Sequence, residues 1–259
     1  MQSNRHSDTP MPLPADPGAA RELHQMDQHK ESEPERTREP QYQMLLDIRR
    51  RHGLTPLGLM INQAWRDDPR RLAFTFARYK FVAKMLAGRQ SVLEIGCADA
   101  FCTRIVQQSV RQVTVTDFDP VFIADVKSRM DPKWPLAAAF VHDMLSGPVP
   151  GQYDAAYALD VLEHIEPNRE DKFLRNTVAS LTKHGVAIVG VPSLESQAHA
   201  SAQSKAGHVN CKTGEDLRRT LERHFHTVFL FSMNDEVVHT GFFPMAQYLL
   251  GLACEPRSA

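Results

Sequence analysis

Along the first forty residues apolar positions follow no period, and Pro10, Pro12, Pro14, Pro17, Pro34 and Pro40 interrupt scattered charge. Such a composition buries too little surface to offset ordering entropy, so residues 1–40 are expected to form a disordered tail. Between residues 41 and 88 the pattern turns helical. Leu45, Leu46 and Ile48 open it, Leu57, Met60, Ile61 and Trp65 continue it, and Leu72, Phe76, Tyr79, Ala83 and Leu86 recur at spacings of three and four. Pro56 and Pro69 stand where new helices can begin, which predicts two or three N-terminal helices.

Past Gly88 short apolar runs at 91–96, 112–117, 136–142, 153–160 and 185–192 alternate with helical segments. Continuous apolar strands between helices are what a parallel sheet covered on both faces requires. A Thr213…Asp216 pair resembling a capping box opens a helix over 213–223, and runs at 227–234 and 245–254 supply two last strands. The expected class is α/β, a doubly wound Rossmann-like sheet. It has seven strands, mostly parallel with an antiparallel edge pair, and N-terminal helices before it.

Composition adds little to this picture and excludes some partners. The 259 residues are 42% hydrophobic and 24% charged, and 30 Lys+Arg against 31 Asp+Glu leave a formal net charge of -1. No global field draws such a chain onto nucleic acid or an anionic membrane. No apolar stretch reaches the roughly 20 residues needed to cross a bilayer, and the N-terminus lacks a signal peptide's apolar core, so a cytoplasmic address is expected. Cys97, Cys102, Cys211 and Cys254 form neither a CxxC pair nor a disulfide framework, which predicts reduced thiols.

In an open α/β sheet ligands bind beyond the carboxyl ends of the strands, so the residues after each run are the candidates for chemistry. The first run ends Glu94-Ile95-Gly96-Cys97-Ala98-Asp99-Ala100, in which Gly96 permits a tight turn while Ala98 spoils a dinucleotide fingerprint. The second ends in Asp117, placed to accept hydrogen bonds from ribose hydroxyls. The third ends His142-Asp143-Met144, an acceptor for an adenine amino group beside a soft apolar side chain for the ring face; the plain alternative for Asp143 is a turn or helix cap. The fourth leads into Asp160-Val161-Leu162-Glu163-His164.

These four pieces, in order, resemble the class I S-adenosylmethionine-dependent methyltransferases, over about residues 70–256. The resemblance implies that Glu94 and Gly96 border the methionine portion of the donor. It implies too that Asp117 binds the ribose, Asp143 and Met144 hold the adenine, and Asp160 lies near the amino-acid end. Ala98 and Ala100 depart from the family's usual glycines. Residues 89–256 would then form the S-adenosylmethionine-binding domain, with the helices of 41–88 covering its active site.

Methyl transfer from a sulfonium is an in-line displacement, and a hydroxyl acceptor must lose its proton. His164, with Glu163 beside it, is the candidate general base. The plain alternative is that the two cap a helix or satisfy each other. Asp160-x-x-Glu163-His164 followed by His208 also resembles the divalent-metal site of small-RNA 2′-O-methyltransferases and ubiquinone-biosynthesis O-methyltransferases. That likeness implies that Glu163, His164 and His208 hold Mg²⁺, Mn²⁺ or Zn²⁺. By composition alone His199 competes with His208.

The acceptor pocket is expected between the N-terminal helices and residues 193–211, with Trp65, Phe74, Tyr79 and the 234–243 stretch, including His239, as candidate lining. Core packing is the plain reading for the aromatics. Arg49, Arg50, Arg51, His52, Arg66, Arg70, Arg71, Arg78 and Lys80 make 49–80 locally basic. Spread around the helices they are a solvated surface; gathered on one face they favour a phosphorylated or nucleotide-linked acceptor, or peripheral contact with an anionic membrane. No RNA-binding module is present, which disfavours nucleic acid. The expected activity is O-methylation of a small-molecule hydroxyl on a sugar or nucleotide-sugar, a natural product, or a phenol or quinone. N-methylation of an amine, an NAD-dependent oxidoreductase and a non-catalytic cofactor-binding homologue are the alternatives.

Overall fold

A computed structural model describes residues 35–241 and 243–257. The expected tail falls almost wholly on residues 1–34, outside the described residues. The described residues fall into two compact units, 35–54 and 55–257. In the first, a 3-10 turn at Pro40–Tyr42 leads into α1 (Gln43–His52). Gly53 ends α1 with a left-handed φ of 71°, and its N–H bonds the Arg49 carbonyl at 2.8 Å.

The second unit holds an eight-stranded sheet. Before it come α2 (Leu59–Asp67) and α3 (Arg70–Met85), the latter starting after Pro69 as the proline spacing predicts. Then follow β1 (Val92–Ile95), α4 (Thr103–Gln107), β2 (Val113–Asp117), α5 (Pro120–Ser128), β3 (Ala138–Val141) and β4 (Tyr153–Leu159). The chain continues through α6 (Glu170–Ala179), β5 (Leu181–Pro192), α7 (Ala202–Gly207) and α8 (Gly214–Glu222). It closes with β6 (Phe225–Asn234), β7 (Val237–His239) and β8 (Tyr248–Pro256). The order across the sheet is β3-β2-β1-β4-β5-β8-β6-β7; β1 to β5 are parallel, and β8, β6 and β7 antiparallel.

The burial of β1, β2 and β4, with polar Glu94, Thr114, Thr116 and Asp117 included, follows from their place in mid-sheet between two apolar clusters that line the opposite faces. The doubly wound expectation is borne out, with one correction: eight strands, not seven. The extra strand, β7, is three residues long and hairpins onto β6 through Asp235, at φ 49°. Three residues give no legible alternation, and the stretch reads as pocket lining instead. His239 sits in this hairpin as a satisfied side chain, with Nε2 2.8 Å from Asn234 Oδ1 and Nδ1 accepting the Gly241 N–H at 2.9 Å.

Thr213 caps α8 as its sequence predicts, accepting the Asp216 N–H at 3.1 Å while its hydroxyl donates to the Asp216 carboxylate at 2.7 Å. From β1 the chain winds outward to β2 and β3, then returns to lay β4 on the other side of β1. The crevice between the tips of β1 and β4 is therefore the topological switch point, where ligands bind in such sheets. Among the described residues no helix is long and apolar enough to cross a membrane.

Candidate active site

The β1 tip turns sharply. Gly96, Ala98 and Ala100 take left-handed φ values of 69°, 45° and 49°. At Gly96 glycine is obligatory, because an added Cβ would stand 2.4 Å from Val161 Cγ2. The two alanines hold the glycine-like conformation at a strain of ~1 kcal/mol each. Asp99, between them, is buried; its carboxylate accepts the Ile61 N–H of α2 at 2.8 Å and the Phe101 N–H at 3.1 Å. It thus caps a helix whose own N-cap, Gly58, has no side chain and no room for one, a Cβ there lying 2.4 Å from Asp99.

Asp117 at the β2 tip is 5% exposed and braces this loop from the other side. One carboxylate oxygen accepts the Ala98 N–H and the other the Asp119 N–H, each at 2.9 Å. Burial raises its pKa against these donors. Phe118, next along, is 73% exposed at the mouth of the crevice, and Val141 at the β3 tip is exposed too. Neither stands out in the sequence, because their exposure is set by the fold. Asp143 is exposed, with one oxygen accepting the Leu145 N–H at 2.8 Å in a turn, whereas Met144 is 4% exposed and belongs to the core. The structure thus brings Asp117 to the Gly96 loop and packs Met144 away from solvent.

Glu94 lies beneath the loop and accepts three hydroxyls: Tyr79 of α3 at 2.7 Å, Thr103 at 2.6 Å and Tyr157 of β4 at 2.7 Å. Burial and the Glu94 charge hold both phenols well above their usual pKa, so they remain donors. Burial pushes the Glu94 carboxyl up to about 7 from 4.5 despite its three donors. Between these two values the native state keeps a proton that the unfolded chain has released. The contribution to stability is therefore full below 4.5 and is lost as pH rises toward 7. Unfolding free energy from urea titrations should fall across this window by up to ~3 kcal/mol, and Glu94→Gln should flatten the decline.

The chemical groups converge across the switch point. Asp160, at φ 57°, directs its carboxylate to Arg78 of α3, with Nη1 donating to Oδ2 at 2.7 Å, and the guanidinium stacks 3.7 Å from the Tyr248 ring centroid. Arg78 Nε is buried without a hydrogen-bond partner. A 3-10 turn, Leu162–His164, then sets Glu163 inward at 1% exposure, with neither carboxylate oxygen hydrogen-bonded. Burial and the neighbouring Asp160 carboxylate raise the Glu163 pKa well above the usual range, with Arg78 opposing them.

His208 is delivered to the same place by α7, whose Ser201 cap accepts the Ser204 N–H, and by the Val209 and Asn210 N–H groups, which bond the Glu163 carbonyl at 2.9 and 3.0 Å. His164 Nδ1 lies 2.9 Å from the Gly207 carbonyl and His208 Nδ1 3.0 Å from Gln197 Oε1. Both Nδ1 atoms face oxygen acceptors and so carry the proton in the neutral rings, leaving both Nε2 lone pairs free. Burial, then the adjacent His164, lowers the His208 pKa, which favours that neutral form. The rings are 5.1 Å apart, and one donor atom each from Glu163, His164 and His208 lies within 4.8 Å of the others. His199 is exposed and outside this group, as is Asp160. An unpartnered carboxylate and two imidazoles with free Nε2 atoms can take a proton from a hydroxyl or bind a divalent cation.

Residues 92–185 match the family described as Methyltransferase domain. Two probable S-adenosylmethionine-dependent methyltransferases from strains of Mycobacterium tuberculosis are each 27% identical over 124 residues, 46% of this chain and 43% of theirs. The matched stretch is thus less than half the length of these relatives. Among solved structures, the N-methyltransferase NodS from Bradyrhizobium japonicum aligns at TM-score 0.53 and 18% identity, covering 74% of this chain and 99% of that one. Its complex with S-adenosyl-L-homocysteine aligns at TM-score 0.52 and 19% identity, covering 74% and 92%. The methyltransferase domain of bacterial CtHen1 aligns at 0.57 and 16%, covering 70% and 98%. The resemblance to class I S-adenosylmethionine-dependent methyltransferases read from the motifs is borne out by the family match, and the solved structures share the fold.

Proposed function

We propose that this chain transfers a methyl group from S-adenosylmethionine to a hydroxyl of a small-molecule acceptor. The observation that carries the hydroxyl is the buried Glu163 carboxylate, which has no hydrogen-bond partner and faces two imidazoles with unspent Nε2 atoms. Val161, two residues before Glu163, packs against Gly96, so the donor loop and this group share one crevice. Asp117 receives the ribose on its remaining lone pairs, Phe118 and Val141 offer apolar surface to the adenine, and Asp143 offers it an acceptor. The unspent donors of Arg78 and the Asp160 carboxylate lie toward the amino-acid end.

The donor set also suits a divalent cation such as Mg²⁺, Mn²⁺ or Zn²⁺: two neutral imidazoles with second nitrogens fixed by oxygen acceptors, and one carboxylate with no other partner. When bound, such a cation lowers the pKa of a coordinated hydroxyl. Glu163, His164 and His208 would hold it; without it, His164 Nε2 takes the proton.

Thermal-shift titration should show stabilisation by S-adenosylhomocysteine and none by NAD(H), and stabilisation by NAD(H) alone would reject the donor assignment. Incubation with the donor and a panel of sugars, nucleotide-sugars and phenols, followed by mass spectrometry, should reveal a product heavier by one methylene unit. Metal analysis of the purified chain and Mn²⁺ titration followed by electron paramagnetic resonance should give one ion per chain, lost in His208→Ala. Full turnover after chelation, with no ion bound, removes the cation and leaves the imidazole as base.

A further inference from the structure

At the opposite end of the sheet from the strand tips, where β5 begins and β8 ends, lies a cavity of ≈ 490 Å³. This is the size of a small-molecule site. Its floor is apolar, from Val178 at the end of α6, Leu181 of β5 and Pro256 of β8. Four cations line it, Arg175, Lys183, Arg223 and Arg257, against one carboxylate, Asp171.

These cations are only partly neutralised. Arg175 is paired with Asp171 and Arg223 with Glu170, yet each side chain is more than half exposed, which leaves guanidinium donors free. Arg257 Nε is held by the Glu222 and Phe225 carbonyls at 3.0 and 3.1 Å, which fixes the fork while leaving its outer nitrogens available. Lys183 is exposed. His224, 7% exposed, also lines the cavity; its buried Nε2 lies 3.2 Å from Asp171 Oδ1 but makes no hydrogen bond.

We infer that this cavity binds an alkyl or aryl phosphate monoester, with its apolar body on the Val178–Leu181–Pro256 floor and its phosphate among Arg175, Lys183, Arg223 and Arg257. A dianionic head answers the excess of cations better than a carboxylate does, and guanidinium forks match phosphate geometry. The apolar floor gives a free phosphate nothing to bury. The site is remote from the donor crevice, so both can be filled in one chain.

Isothermal titration of the full chain with octyl phosphate, in the presence of saturating S-adenosylhomocysteine, tests this. One equivalent should bind, with inorganic phosphate and octanoate each binding at least about tenfold more weakly. In Arg175→Ala/Lys183→Ala, and separately in Lys183→Glu, octyl phosphate affinity should fall at least about tenfold while S-adenosylhomocysteine affinity is unchanged, the latter showing that the fold is intact. Absence of saturable binding, binding indifferent to these substitutions, or inorganic phosphate binding as tightly as octyl phosphate would overturn the inference.

Discussion

Glu163→Gln should reduce turnover by roughly 10²–10⁴-fold while leaving S-adenosylhomocysteine affinity within about threefold of the parent chain. Glutamine has the same shape, and Glu163 already lacks hydrogen-bond partners, so packing in the 3-10 turn should survive. The substitution removes an ionisable group: burial holds the Glu163 carboxyl above the usual range, and once ionised it can support an imidazolium on His164, 4.0 Å away, or ligate a cation. An effect on kcat with little effect on donor binding is the signature of a group acting on the acceptor proton. Steady-state kinetics with a hydroxyl acceptor, paired with calorimetric titration of S-adenosylhomocysteine, makes the separation. Undiminished kcat would take the carboxylate out of the chemistry and favour an amine acceptor, which needs no strong base.

Asp117→Ala should act on the other half of the reaction and weaken S-adenosylhomocysteine binding by roughly 10²–10⁴-fold, since hydrogen bonds to a charged group contribute about 1.5–3 kcal/mol each and the proposed reading has Asp117 accept two ribose hydroxyls. Two further losses follow from the geometry. The Ala98 and Asp119 N–H groups lose their acceptor, so the strained loop is freed and unfolding free energy should drop by about 1–3 kcal/mol. Asp117→Asn keeps one acceptor oxygen and should fall between the two. Calorimetry and urea unfolding on the three proteins read both effects, and retained affinity in Asp117→Ala would place the donor elsewhere.

What the sequence carries is local. The parallel strands are legible because burial on both faces favours short, mostly apolar runs, as in Val92–Ile95 and Tyr153–Leu159, broken by Glu94 and Asp154 alone. The α8 start is legible because its cap lies within three residues. Glu163, His164 and His208 are nominated together by the family resemblance, and the fold brings them together; composition alone leaves His199 as a competitor, which the coordinates set outside the group. The partners that matter most are distant in the chain: Arg78 meets Asp160 across 82 residues, Asp99 meets Ile61 across 38, and Tyr157 meets Glu94 across 63. Arg78 reads in sequence as one of a basic series and in the fold as a half-buried cation stacked on Tyr248 and paired with Asp160. Met144 shows the converse, a side chain whose chemistry suits an adenine and whose place is the core.

The return of the chain across β1 separates two tasks. Gly96, Asp117 and Phe118 follow β1 and β2, whereas Glu163, His164 and His208 follow β4 and β5. On the proposed reading, one flank of the sheet grips a constant reagent and the other meets a changing guest. The 193–211 segment is a cassette anchored at both ends by the pairing of Ser193 with Lys212. Grafting that cassette from a relative should retune guest preference without retooling the grip.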